Sequence, residues 1–288
     1  GAVVLGQARA ERDPFVRATV ATSADPARVL TPEQTHAVSS LGTRIEAARF
    51  HVALLHGVTG SGKTEIYVRL AGLAVRAGRT ALILVPEIAL TPALAGVFAA
   101  TFGARVAIQH SGLSAGERHD QWHRIRAGQV DVVVGTRSAV FSPLARLGLV
   151  VVDEEHDASY KQDETPRYHG RDVAIVRAQR AGALVVLGSA TPSLESYANA
   201  ESGKYSKVVL AARVMDRPPA AVRLVNMRDV YASVGPDVIV GPELEAAIEQ
   251  RLHAGEQAMI LLNRRGYATA VFCRQCGDAF ECPNCSVS

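Results

Sequence analysis

The sequence predicts an α/β protein built on a doubly wound parallel sheet, and three observations carry that prediction. Short, nearly continuous runs of Val, Leu, Ile and Ala recur at Val52 to Leu55, Ala81 to Val85, Val106 to Ile108, Val130 to Val134, Leu149 to Val152 and Leu184 to Leu187. Stretches of helical character separate them, and strands covered by helices on both faces read in this unalternating way. The first run leads directly into His56-Gly57-Val58-Thr59-Gly60-Ser61-Gly62-Lys63-Thr64, which fits G-x-x-x-x-G-K-[ST], the phosphate-binding loop between a strand and a helix.

In chain order, Gly1 to Arg28 lack a clean period and carry the breakers Arg12-Asp13-Pro14 and Asp25-Pro26, so a linker and the tail of an upstream domain are expected there. Thr31-Pro32-Glu33-Gln34 opens a helix with a threonine N-cap and proline at the first helical position, and Ala37, Val38, Leu41 and Ile45 follow at helical spacing. The alternation of strand and helix then defines one lobe over residues 29–216. Arg217-Pro218-Pro219-Ala220 breaks the pattern and reads as a linker. Beyond it, over residues 217–272, the start of a second lobe is expected, with a strand at Val222 to Val225, a helix opening at Gly241-Pro242-Glu243-Leu244 and a buried strand at Ala258 to Leu262. A cysteine-rich segment begins at residue 273.

At 288 residues and 48% hydrophobic, the chain can bury a sizeable core. Its net charge of +3 is too small to announce nucleic-acid binding by itself, which leaves a local basic face open. No apolar run is long enough to cross a bilayer and the first nine residues lack a secretory layout, so no membrane partner and a cytoplasmic location are expected. A chain that begins at Gly1 and stops just after a cysteine pair reads as a piece of a longer protein.

The glycine turn at Gly57, Gly60 and Gly62 suits backbone NH groups, with those of Thr59 and Ser61, that curl around an anion ahead of a helix whose positive end faces it. Lys63 can reach the β and γ phosphates of ATP, and the Thr64 hydroxyl is placed to ligate magnesium. Phosphoryl transfer also needs an acidic pair at the end of a neighbouring strand. Leu149-Val150-Val151-Val152-Asp153-Glu154-Glu155-His156 supplies it, with Asp153 expected to hold the metal and Glu154 to position the attacking water. Gly188-Ser189-Ala190-Thr191-Pro192 ends the next run, where the hydroxyls of Ser189 and Thr191 can hydrogen-bond the acidic loop. Cys273-Arg274-Gln275-Cys276 and Cys282-Pro283-Asn284-Cys285 are two C-x-x-C knuckles that could present thiolates to zinc. The five residues between the pairs are few beside the roughly 12 to 20 of one-zinc ribbons, and a redox C-x-x-C stays open as the alternative.

Taken together, G-V-T-G-S-G-K-T-E-I-Y, V-P-E-I-A-L-T from Val85, H-S-G-L-S from His110, G-T-R-S-A-V-F from Gly135, D-E-E-H-D-A-S-Y-K-Q from Asp153, R-Y-H-G-R-D from Arg167, G-S-A-T-P-S-L-E from Gly188 and L-N-R-R-G-Y from Leu262 resemble the superfamily 2 helicases. Within them, the set is similar to the primosomal replication-restart helicases, from about Leu30 to Cys285. The resemblance implies a RecA-like first lobe, the start of a second RecA-like lobe and a zinc-knuckle insertion, in an ATP-dependent 3′ to 5′ DNA helicase that reloads the replication machinery at stalled or collapsed forks. It implies forked and single-stranded DNA, primosome proteins and single-strand binding protein as partners. By the same resemblance, Gln34 takes the position that contacts adenine, His156 joins the catalytic motif, and Arg137 and Ser138 lie in a motif facing single-stranded DNA.

Tyr160, Lys161, Arg167, Tyr168 and His169 resemble an aromatic-rich loop that couples DNA binding to hydrolysis. Aromatics interleaved with cations suit base stacking and phosphate neutralisation, although Pro166 stands where the family has tryptophan. The cysteine pairs resemble halves of two zinc sites, Cys273 with Cys276 in one and Cys282 with Cys285 in the other. The second-lobe arginine that completes the ATP site falls outside this stretch, and Arg264 and Arg265 are not expected to replace it. Two competing readings are another superfamily 2 translocase, which leaves the cysteines and the R-Y-H segment unexplained, and a fork-binding zinc scaffold that needs no ATP turnover, which leaves the intact Lys63, Asp153 and Glu154 unexplained.

Overall fold

The apolar runs form a seven-stranded sheet in which every pairing is parallel. The computed structural model describes residues 29–86, 91–214, 220–235 and 238–261. Strands β1 (His51–Gly57), β2 (Thr80–Leu84), β3 (Val106–Gln109), β4 (Val132–Gly135) and β5 (Leu147–Asp153) are followed by a small antiparallel hairpin, β6 (Lys161–Gln162) and β7 (Tyr168–His169). The sheet is completed by β8 (Leu184–Ser189) and β9 (Ser206–Leu210). Its spatial order is β3-β4-β2-β5-β8-β1-β9.

Helices α1 (Pro32–Glu46), α2 (Lys63–Arg76) and α3 (Thr91–Phe102) precede β3, while α4 (Ala115–Arg126), α5 (Gly170–Ala181) and α6 (Leu194–Glu201) come later in the same unit. Strand alternation divides the core between the two faces. Ala53 and Leu55 pack with Leu41, Ile45, Ile66, Leu70 and Phe98. Val52 and Leu54 point the other way, into a cluster with Ile125, Ala174, Ala178 and Ala200. Thr31 starts α1 with a capping box shared with Gln34, and Ser114 and Glu117 do the same for α4.

The sheet order matters for chemistry because β8 lies between β1 and β5. In the parallel register Asp153 is level with Gly188, and Ser189 is level with His56. The loops that leave β1, β5 and β8 therefore meet at the carboxyl edge of the sheet, where open α/β folds bind ligands.

The chain divides into two compact units, Gly1–Arg217 and Pro218–Ser288. In the second, α7 (Met227–Val234) and α8 (Pro242–His253) form, the latter opening after Gly241 with proline in its first turn. The two strands expected there do not. Residues 222–225 and 258–261 have no regular structure, with Leu224 93% and Met259 98% exposed. Among the described residues of this unit there is no strand to pair with them, and an unpaired strand has neither ladder hydrogen bonds nor a covered face. Residues 1–28, most of the expected linker, Arg264, Arg265 and all four cysteines lie outside the described residues. Among the described residues no helix is long and apolar enough to cross a membrane.

Candidate active site

The turn between β1 and α2 is shaped for an anion. Gly60 and Gly62 have φ of +82° and +80°, in the left-handed region that strains a side chain, and a Cβ on Gly62 would also overlap the Gln34 amide. No side chain caps the start of α2, so its positive end is left to the loop. The Ser61 hydroxyl is buried without a hydrogen-bond partner, and a Cβ on Gly57 would stand 2.6 Å from it. Lys63 Nζ donates to the Gly57 carbonyl at 3.1 Å and lies 3.6 Å from Glu154 Oε1. Thr59 is exposed and Thr64 half-buried in the first turn of α2. A left-handed glycine turn, an uncapped helix start, an unpartnered buried hydroxyl and a lysine fit a polyphosphate with its divalent cation.

Gln34 is buried beneath this loop. Its Oε1 accepts from the Thr31 NH at 3.0 Å and its Nε2 donates to the Ser61 carbonyl at 2.9 Å. One end of the amide thus closes the capping box of α1 and the other braces the phosphate loop, which puts Gln34 beside that loop.

At the end of β5, Asp153 Oδ1 accepts a 2.8 Å hydrogen bond from the Tyr67 hydroxyl of α2. Burial is the main cause that raises the Asp153 carboxyl above its ordinary range; the Glu154 charge adds to it, and the Tyr67 bond and Lys63 offset part. Burial and the Asp153 charge push the Tyr67 hydroxyl well up, so it stays a donor. Gly188 makes room for this contact, because a Cβ there would overlap the Tyr67 hydroxyl.

Glu154 itself adopts φ +44° and presents its carboxylate to Lys63 and, at 3.7 Å, to His156. His156 Nδ1 is 2.8 Å from Ser189 Oγ, and its Nε2 is 3.4 Å from Thr191 Oγ1. The Thr191 NH closes the group by donating to Ser189 Oγ at 2.9 Å. Lys63, Glu154, His156, Ser189 and Thr191 are therefore one connected cluster, with Asp153 next to Glu154 in the chain and bonded to Tyr67.

The sequence reading missed two residues here, Tyr67 and Glu155. The Glu155 side chain is fully buried and accepts from the Ser193 NH at 2.7 Å, the Ser196 hydroxyl at 2.8 Å, Arg171 Nη1 at 2.9 Å and the Ser193 hydroxyl at 3.0 Å. Burial alone would raise its carboxyl, but the bonds from Ser193, Ser196 and Arg171 outweigh burial and hold it below the usual range. The signal lay in a second glutamate beside the acidic pair and in two serines three residues apart at a helix start.

A second group surrounds a cleft of ≈ 420 Å³ lined by Gln109, His110, Arg118, Arg137, Ser138 and Tyr168, among others. Arg137 Nη1 donates to the Ser159 carbonyl at 2.9 Å and also to the Lys161 carbonyl. Lys161 and Arg167 are exposed on the β6–β7 hairpin, Lys161 paired with Asp163 at 3.1 Å and Arg167 Nε donating to the Asp163 carbonyl at 3.0 Å. His169 precedes α5; its Nδ1 is buried without a partner, and burial lowers its basicity.

Tyr160, expected in the loop that couples DNA binding to hydrolysis, does not present its ring to solvent. Its ring is 0% exposed, within the core, and its hydroxyl donates to the Asp153 carbonyl at 2.7 Å. An apolar body with one satisfied polar tip packs inward, so Tyr160 ties the hairpin segment to the acidic loop instead.

A DEAD/DEAH box helicase family model matches residues 31–200. The replication restart protein PriA of Bacillus subtilis (strain 168) is 47% identical over 259 residues, 90% of this chain and 32% of that protein. The protein of the same name from Chlamydia pneumoniae is 44% identical over 259 residues, 90% of this chain and 35% of that one. The chain spans about a third of the length of these curated relatives. Among solved structures, RecG bound to a three-way DNA junction matches with a TM-score of 0.53 at 22% identity, over 79% of this chain and 28% of that one, a likeness of fold. The family match takes in the glycine turn, the acidic loop and the Ser189–Thr191 strand end over more than half of the length, and the chain belongs to the DEAD/DEAH box helicase family.

Proposed function

We propose that the chain carries the ATP-hydrolysing lobe of a replication-restart DNA helicase, one that moves 3′ to 5′ on stalled or collapsed forks and promotes primosome assembly. The observation that carries this reading is the cluster in which Lys63, Glu154, His156, Ser189 and Thr191 are linked in sequence from the phosphate loop to the end of β8. Lys63 and the loop amides hold the β and γ phosphates of ATP, and Thr64 and Asp153 hold magnesium. Magnesium, when bound, neutralises charge on the transferring phosphoryl group.

Asp153 is kept in place by Tyr67, so its carboxylate is oriented before the metal arrives. Glu154 positions the attacking water and takes up its proton. His156 reads the state of Glu154 on one side and contacts Ser189 and Thr191 on the other, which passes that state along the strand end. The cleft beside Arg137 and Tyr168 receives single-stranded DNA. Arg137, on the cleft wall, bonds the backbone of the hairpin segment, and Tyr160 of that segment bonds the backbone of Asp153, which supports coupling between the two sites.

Forked DNA, primosome proteins and single-strand binding protein are the partners of this reading, and the cytoplasm is its location. Cys273, Cys276, Cys282 and Cys285 contribute thiolates to two zinc sites of the full-length protein, and elemental analysis should find about two zinc ions per full-length chain. A content near zero in protein purified without chelators would remove zinc from the account. Strand-displacement assays on partial duplexes with either a 3′ or a 5′ single-stranded tail test the activity. Unwinding that requires the 3′ tail and ATP is expected; a requirement for the 5′ tail, or unwinding without ATP, would overturn it.

A further inference from the structure

Phe141 ends the short 3-10 turn Arg137–Phe141 that follows β4. Its neighbours Ala139 and Val140 are buried in the core, whereas its own ring is 59% exposed. The ring is not loose. It meets Tyr168 with centroids 5.1 Å apart and planes 74° apart, an edge-to-face contact that fixes it while leaving at least one face open.

Its partner Tyr168 lines the polar cleft together with Arg137, and Arg118 adds a second cation there. Phe141 itself lines a shallow hollow of ≈ 390 Å³ with Pro143, Val173 and Val176, and Arg177 and Arg180 are among its walls. Arg177 is committed to the carbonyls of Val140 and Ser142, which stiffens the turn that carries Phe141, and Arg180 is exposed. A fixed, open aromatic ring in an apolar hollow, in contact with a tyrosine that lines a cationic polar cleft, matches the chemistry of a single strand, whose phosphates seek cations and whose unstacked bases seek rings.

We infer that Phe141 is a base-stacking side chain, taking an unpaired base of single-stranded DNA whose phosphates lie beside Arg137 and Arg118. This rests on the reading of the chain as a DNA motor and adds a contact that neither the turn's cations nor Tyr160 can supply.

The test uses the full-length protein and an oligodeoxynucleotide carrying 2-aminopurine, whose fluorescence is quenched by stacking. Phe141→Ala and Phe141→Leu should weaken binding about 5- to 150-fold and abolish the quenching that binding produces. The salt dependence should stay as in the wild type, since phosphate contacts remain. Phe141→Trp should restore affinity and quenching. ATP hydrolysis in the absence of DNA should be unchanged in all three.

If Phe141→Ala lowers the melting temperature, Phe141→Leu and Phe141→Trp decide, because leucine keeps an apolar group there without a ring and tryptophan keeps the ring. Wild-type affinity and quenching in Phe141→Leu would overturn the inference, and would point instead to a protein segment covering the ring. Failure of the motor reading is separate: wild-type protein would then bind and quench the probe through Phe141 while its ATP hydrolysis ignored DNA. A wild-type protein that bound no single strand would overturn both.

Discussion

Glu154 is held between a lysine and a histidine by a backbone in the left-handed region, a conformation that is costly for a non-glycine residue and recurs where function fixes it. In the proposed mechanism, Glu154→Gln removes the base but not the metal ligand Asp153. Nucleotide affinity should be retained while turnover falls by about 10²- to 10⁴-fold, as read by equilibrium binding of a fluorescent ATP analogue beside steady-state hydrolysis. Normal turnover in this variant would assign the water to another group.

Tyr67 acts one step further back. Its hydrogen bond favours the ionised form of Asp153, against burial, so Tyr67→Phe should raise the Asp153 carboxyl further. Protonated Asp153 cannot ligate metal, and the acid limb of the kcat/KM profile should move to higher pH. An acid limb at the wild-type position would show that Asp153 does not govern it. Neither Tyr67 nor the requirement for Gly188 was legible in the sequence, because both depend on which residues face each other across α2 and β8.

At the level of elements, the strands were legible wherever helices cover both faces, as from β1 to β8 in the sheet, since burial on both sides writes an unbroken apolar run. β9 escaped notice for the opposite reason. It is an edge strand paired only to β1, with Lys207 and Val209 exposed to solvent, so Ser206-Lys207-Val208-Val209-Leu210 is buried in alternation and not along its whole length. The β6–β7 hairpin, two residues a side, is held by backbone pairing that leaves no periodic signal.

The acidic loop, α5 and α6 are joined by Glu155 with Arg171, Ser193 and Ser196, a network that composition and spacing did not disclose. Glu155→Ala leaves Arg171 and two serines without their acceptor and should destabilise the fold by about 3–5 kcal/mol at neutral pH. Because the carboxyl titrates lower in the folded than in the unfolded chain, its contribution is present above roughly pH 4.3 and is lost as pH falls through the folded-state value. Denaturant melts of the two proteins should therefore converge in acid. A constant difference from pH 7 to pH 3 would mean that packing, not charge, accounts for the loss.

Across the whole molecule, the two units were legible to different degrees. In Gly1–Arg217 local pattern and tertiary burial agree, and the motifs fall on the carboxyl edge of one sheet. In Pro218–Ser288 the helix after Gly241 was legible from its glycine and proline, whereas β-rich residues at 222–225 and 258–261 found no strand among the described residues to pair with. Propensity alone does not make a strand. The central claim is that the cluster around Lys63 hydrolyses ATP in response to DNA. Steady-state hydrolysis by the full-length protein, with and without forked DNA and beside its Lys63→Ala variant, tests it most directly. Strong stimulation by the fork in the wild type is expected, with hydrolysis abolished in Lys63→Ala and fork affinity nearly unchanged; a wild-type rate indifferent to DNA, or a Lys63→Ala variant that still turns over, would contradict it.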